Sequence, residues 1–154
     1  MKVGIITISD RASKGIYEDE SGKKIEEIVN KSGWKVKKYS IIPDDYDKIR
    51  DELLEMCDDL KLDLVLTTGG TGLTRRDVTP EATISVIDRR IHGIEIAMMV
   101  HSLKHTSKAM LSRAVAGVRG GTLIINLPGN PKAIEEILPE LVEAISHAVE
   151  KIKE

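Results

Sequence analysis

DLVLTTGGTGLTRRDVTPEAT, residues 63–83, decides the fold. It opens on a strand-length apolar run, Asp63 to Thr68. A continuous run of this kind suits a strand covered on both faces, as in a parallel sheet. It ends in Gly69-Gly70-Thr71-Gly72, where the missing Cβ atoms let the chain turn sharply and approach a ligand closely. Thr79-Pro80-Glu81 then reads as an N-cap, a proline at N1 and an acid in the first turn of a short helix through Val86.

Before this stretch, Lys2 to Ser9 (KVGIITIS) is a β-branched run that predicts a strand. Ile25, Ile28 and Val29 are spaced i, i+3, i+4 and predict a helix ending near Gly33. Lys35 to Ile42 reads as a second strand, stopped by Pro43. Ile49, Leu53, Met56 and Leu60 follow one helical face. The order β-α-β-α-β predicts an open parallel sheet with right-handed crossovers.

After it, Ile94, Ala97, Met98 and His101 line one face of a further helix. Arg113 to Val118 and Thr122 to Leu127 flank Gly120-Gly121 and predict a strand pair joined by a tight turn. Asn130-Pro131 opens the last helix, with Ile134, Leu138, Leu141, Ile145, Ala148 and Ile152 on one face. Pro139 predicts a kink or break within it. No internal repeat, low-complexity tract or linker divides residues 1–154, so a single domain is expected.

The composition narrows the partners. Lys plus Arg total 23 against 25 Asp plus Glu, so the net charge of -2 gives no electrostatic case for nucleic acid or an anionic membrane. One Trp, three Tyr and no Phe leave no platform for stacking single-stranded bases. Met1 to Ser9 runs straight into a strand, with no basic-then-apolar leader, and no apolar run nears the ~20 residues of a membrane span. The cytoplasm is the expected compartment. Cys57, the lone cysteine, falls on a helical face and reads as a buried thiol.

In an open parallel sheet, ligands bind beyond the carboxyl ends of the strands. Four loops leave such ends: Ser9-Asp10-Arg11, Pro43-Asp44-Asp45, Thr68 to Gly72, and Leu127-Pro128-Gly129-Asn130-Pro131. Consecutive N–H groups of Gly69 to Gly72 can form an anion nest, and Thr71 adds a hydroxyl. The alternative is a tight turn that needs glycine for its geometry alone. The loop is neither a P-loop nor G-x-G-x-x-G. Asp44 and Asp77 could hold Mg²⁺, which favours oxygen ligands and keeps waters and substrate phosphates in its shell. Alternatively, Asp77 pairs with Arg75 or Arg76, and Asp44 merely shapes a turn. His92, His101, His105 and His147 have no metal-ligand spacing, and no Gly-x-Ser-x-Gly elbow exists.

TISDRAS at the first strand end, TTGGTGLTRRDVTPEAT, AMLSR ending at Ser112-Arg113, and INLPGNPKA resemble the MogA/MoaB family of molybdenum-cofactor biosynthesis, which includes gephyrin's G domain. The resemblance runs in the family's order along nearly the whole chain. It implies a three-layer α/β sandwich around a mostly parallel sheet with a short antiparallel strand pair. It implies transfer of AMP from ATP to the terminal phosphate of molybdopterin, with Mg²⁺. The family's two essential aspartates match Asp44 and Asp77. Ser9, Asp10 and Gly69 to Gly72 fall to the nucleotide phosphates. Ser112, Glu95 and the Pro128-Gly129-Asn130 loop fall to the substrate. The usual Gly-Phe-Gly-Glu is one residue shorter here, as Gly93-Ile94-Glu95. The resemblance also implies a homo-trimer or hexamer that works beside other cofactor-biosynthesis proteins. Ile94, Ala97, Met98, Met99 and Val100 would offer the apolar contact surface. The chain's length is nearer that of MoaB proteins, which keeps a molybdopterin carrier without transferase activity as the alternative.

Overall fold

Strand-length runs of five to eight residues form four strands of one sheet, and two shorter strands extend it at one edge. In a computed structural model describing residues 1–154, these are β1 (Lys2–Ile8), β2 (Lys35–Ile42), β3 (Leu64–Thr68), β4 (Arg89–Arg90), β5 (Ala116–Arg119) and β6 (Thr122–Leu127). Their order is β2-β1-β3-β6-β5-β4. The pairs β1–β2, β1–β3 and β3–β6 are parallel, while β5 pairs antiparallel with β6 and with β4. The pleat sends alternate side chains to opposite faces. Leu64 and Leu66 pack on one side with Leu123 and Ile125, whereas Val65 and Ile124 pack on the other.

The helices cover both faces and complete three layers. They are α1 (Asp10–Ser13), α2 (Glu20–Lys31), α3 (Tyr46–Leu54), α4 (Thr79–Val86), α5 (His92–Leu103) and α6 (Pro131–Ile152). Ile25 and Val29 of α2, Met98 of α5 and the apolar stripe of α6 pack on one face. Ile49 and Leu53 of α3 and Ala82 and Val86 of α4 pack on the other. Side-chain caps fix four of the starts, Ser9 accepting from Ala12 N–H at the head of α1. Asp19, Asp45 and Asn130 accept from Gly22, Lys48 and Lys132 N–H, each worth about 1 kcal/mol.

Besides a later start for β5, at Ala116 rather than Arg113, four details differ from the sequence expectation. First, α6 is unbroken through Pro139. Pro139 is exposed, while Ile134, Ile137, Leu138, Leu141, Ile145 and Val149 are buried. At roughly 1.5–3 kcal/mol each, their burial outweighs the ~3 kcal/mol proline cost. Second, α3 passes into a π turn, Glu55–Asp59, which holds the buried Met56 and Cys57. The wider turn carries Leu60 out of the helical row, leaving it 42% exposed. Burial pushes the Cys57 thiol up to about 11. Third, Val78 takes the cap position of α4, and Thr79 is its first helical residue. Thr79 is committed instead to the glycine loop. Fourth, Ala97 is exposed and Met98 buried, so that face of α5 is only partly available as a contact surface. β4, α1 and the 3₁₀ turn Ser107–Leu111 are too short for periodicity to reveal.

Candidate active site

Because β2 lies on one side of β1 and β3 on the other, the connections after β1 and β3 diverge and leave a crevice at the carboxyl ends. A cavity of about 480 Å³ opens there, and its wall includes Ser9, Asp44, Gly69, Gly70, Asp77 and Gly129. Across the glycine loop lies a second cavity of about 880 Å³, whose wall includes Thr71, Glu95, Ser112, Arg113, Pro128 and Asn130. Gly129 borders both. The sequence candidates thus gather around two adjoining spaces. Asp10 and Gly72 line neither but hold their neighbours.

Two positions in the loop demand glycine. Gly69 has φ 96°, and a Cβ there would lie 2.2 Å from the Ile8 carbonyl oxygen. Gly70 has φ 70°, and a Cβ there would lie 2.3 Å from Thr79 Oγ1 and 3.1 Å from Asp44 Oδ1. Thr79 closes the loop: its N–H donates to Gly70 O at 3.1 Å and its hydroxyl to Gly69 O at 3.0 Å. Thr68 Oγ1 donates to Pro128 O at 2.6 Å and Ser21 Oγ to Gly129 O at 2.6 Å, tying the Leu127 to Pro131 loop to the same crevice.

The acids form a network. Asp10 N–H donates to Asp44 Oδ2 at 2.9 Å, and Asp44 N–H donates back to Asp10 Oδ1 at 3.0 Å. Arg76 grips Asp10 through Nε at 3.0 Å and Nη2 at 2.9 Å. That hydrogen-bonded guanidinium holds the Asp10 carboxyl below its ordinary range. Asp44 is pushed the other way. Burial raises it, the Asp10 N–H lowers it, and the charges of Asp10 and Asp77 raise it again. Asp77 pairs with neither Arg75 nor Arg76; its Oδ2 accepts from Thr74 N–H and Thr74 Oγ1, both at 2.9 Å. Ser9 caps α1, accepting from Ala12 N–H, and shares a 2.8 Å hydrogen bond with Tyr17 OH.

The smaller cavity is anionic. Its wall carries Glu18, Asp19, Glu20, Asp44 and Asp77 and no Lys or Arg. Asp19 is committed internally to Thr7 Oγ1, Tyr39 OH and Gly22 N–H. Asp44 Oδ1 and Asp77 Oδ1 accept no hydrogen bond. No group of three His, Cys, Asp or Glu forms a closed metal cage. Two carboxylates, each with one uncommitted oxygen, do fit a Mg²⁺ ion whose remaining ligands are waters and phosphate oxygens.

The larger cavity differs in charge. Arg90 pairs with Glu95 through Nε at 2.8 Å, and Ala116 N–H donates to Glu95 Oε2 at 3.0 Å. Burial opposes ionisation of Glu95, but Arg90 and the Ala116 N–H outweigh it and hold the carboxyl low. Glu95 therefore anchors α5 to β4 and β5. Arg113 pairs with Glu81, while Lys108 has no acidic partner. Arg113 and Asn126 were not singled out from the sequence, although both sit in motifs that were. Asn126 is fully buried, and its Nδ2 donates to Thr67 and Thr83 hydroxyls at 3.0 and 3.1 Å. A polar residue inside an otherwise apolar strand was the available signal.

Residues 4–147 match the family described as "Probable molybdopterin binding domain". The chain is 47% identical over 152 residues to a molybdopterin adenylyltransferase of Helicobacter pylori, covering 97% of this chain and 86% of that protein. It is 41% identical over 151 residues to the molybdopterin adenylyltransferase of Escherichia coli K12, covering 97% and 77%. The crystal structure of the molybdopterin biosynthesis enzyme MoaB from Thermus thermophilus superposes with a TM-score of 0.92 at 42% identity, covering 98% of this chain and 95% of that one. The two cavities, the glycine loop between them and these likenesses agree: the chain belongs to the MogA/MoaB family of molybdopterin-binding proteins.

Proposed function

We propose that the chain acts as a single-domain molybdopterin adenylyltransferase, joining AMP from ATP to the terminal phosphate of molybdopterin and releasing pyrophosphate. The adenylyltransferase relatives at 41–47% identity over nearly the whole chain support the activity. The observation that carries the site is the pair of adjoining cavities on either side of the glycine loop, with Gly129 in the wall of both, one lined by Asp44, Asp77, Gly69 and Gly70 and the other by Thr71, Ser112, Pro128 and Asn130.

An oxygen of the terminal phosphate attacks the α-phosphorus of ATP. The bond from that phosphorus to the bridging oxygen breaks, and pyrophosphate leaves. The attacking oxygen is already anionic, so no general base is required. Catalysis then rests on alignment and charge neutralisation. When bound, Mg²⁺ neutralises phosphate charge beside the uncommitted oxygens of Asp44 and Asp77. Without a cation, the five acids of the smaller cavity would repel a triphosphate. Gly69 and Gly70 let the backbone close on the phosphates, and the first turns of α2 and α6 present positive dipole ends. The larger cavity takes molybdopterin, with Lys108 as its unpaired cation.

No helix is long and apolar enough to cross a membrane. Ile96, Val100, Met110 and Leu111 are each more than half exposed, which supports assembly into a homo-trimer or hexamer. Pyrophosphate release tests the function. It should require Mg²⁺, ATP and molybdopterin together. A carrier would bind molybdopterin and release nothing, and a nucleotide pyrophosphatase would need no molybdopterin.

A further inference from the structure

Arg113 leaves the segment between the 3₁₀ turn and β5, where the main chain is pinned to the core. Val115 N–H donates to Asn126 Oδ1 at 3.0 Å, and Asn126 N–H donates to Val115 O at 2.9 Å. From this base Arg113 reaches across the wall between the two cavities. Its N–H donates to Thr71 O at 3.0 Å, its Nε to Gly72 O at 2.8 Å and its Nη2 to Asp77 O at 2.8 Å. Its Nη1 pairs with both oxygens of Glu81 in the first turn of α4. One side chain thus holds both ends of the Gly72–Asp77 segment.

One other side chain ties that segment to the rest of the molecule: Arg76 donates to Asp10 through Nε at 3.0 Å and Nη2 at 2.9 Å. Asp77 N–H bonds Thr74 O at 3.1 Å and Thr79 N–H bonds Gly70 O at 3.1 Å. Thr74 holds Asp77 from within the same turn, so it cannot set where the turn as a whole lies. Arg76 holds through its side chain alone, so placing the main chain at Gly72 and Asp77 falls to the Arg113 guanidinium, whose rigid fork satisfies several acceptors at once in a way an ammonium cannot. We propose that Arg113 is a positioning residue for the transfer: it sets the placement of the Asp77 carboxylate and of the glycine loop, without itself touching the reacting phosphates. This inference rests on the role given to Asp77 above.

Arg113→Ala and Arg113→Lys, in the full chain, test it by turnover, thermal melt and amide hydrogen exchange across residues 71–78. A displacement of about 1 Å at the reacting centre can slow transfer about 100-fold. Arg113→Ala should therefore lose turnover at saturating ATP and Mg²⁺ on that scale, with a much smaller change in KM. Exchange should rise in residues 71–78 and stay unchanged in β1, β3 and β6. Added guanidinium ion should restore part of the turnover and part of the protection. If Arg113→Ala does not fold, Arg113→Lys decides, because lysine keeps the charge but not the fork; it should lose turnover similarly. A folded Ala variant, or failing that the Lys variant, with full turnover and unchanged exchange overturns the proposal. So does a loss that tracks the melt and resists guanidinium. An active Asp77→Asn would instead remove the role of Asp77 itself, and with it the need for positioning.

Discussion

Gly70→Ala puts a methyl group where the loop closes on Thr79. The φ of 70° is left-handed, and a non-glycine residue there costs about 1–2 kcal/mol. The new Cβ would lie 2.3 Å from Thr79 Oγ1, so that hydroxyl must leave its hydrogen bond to Gly69 O, at about 1 kcal/mol more. The sum is about 2–3 kcal/mol. For a chain of this size it should lower Tm by roughly 4–12 °C. Activity should fall further than the melt explains, because the methyl also lies 3.1 Å from Asp44 Oδ1. Two controls bracket the effect. Thr79→Ala removes the clashing hydroxyl, so the double variant should lose less than the sum of the singles. Gly72→Ala has no left-handed strain, and its Cβ would meet Asp77 Oδ2 at 2.9 Å; its melt should barely move while its turnover drops. Paired thermal melts and initial rates below the melting range measure all three. A Gly70→Ala protein that melts with the wild type would refute the reasoning.

Asp77→Asn should slow transfer by roughly 100-fold or more, with a melt close to wild type, since the amide oxygen can still accept from Thr74; full activity would remove Asp77 from the metal site. Asp44 carries a carboxyl raised above its ordinary value, chiefly by burial and then by the neighbouring acids. Its folded value lies above the unfolded one, so its stabilising contribution is present at low pH and is lost as pH rises through the folded value. Asp44→Asn should therefore melt at or above the wild-type temperature at neutral pH while losing turnover; a lower melt at neutral pH contradicts this. By the same shift, the acid limb of the rate profile should lie above the usual carboxylate range and move down as Mg²⁺ is added; a limb insensitive to Mg²⁺ would separate Asp44 from the metal. Light scattering at micromolar concentration should report a trimer or a multiple of it, and a monomer would reject the assembly.

The strands, the main helices and the glycine loop were legible because their signals are local: apolar runs, i, i+3, i+4 spacing, and glycine where the chain must reverse. Asp44 was legible as an acid at a strand end and Asp77 as an acid beyond the glycine loop, but their partners were not. That Arg76 serves Asp10, leaving Asp77 unpaired, depends on loops 66 residues apart in sequence. Arg113 escaped for the same reason, since its guanidinium reaches the Gly72 and Asp77 carbonyls and the Glu81 carboxylate, 41, 36 and 32 residues away. Pro139 misled because a local rule was read without the weight of the buried face behind it. Thr79 misled by one residue because its hydroxyl serves the loop before it rather than the helix after it.

Label transfer from ATP tests the central claim most directly. With ³²P in the α-phosphate, molybdopterin and Mg²⁺, the label should move into a pterin product, with one pyrophosphate released per label transferred. With ³²P in the γ-phosphate, all label should leave as pyrophosphate. Label that stays in ATP while molybdopterin binds, or that is released as free AMP without molybdopterin, would contradict adenylyl transfer.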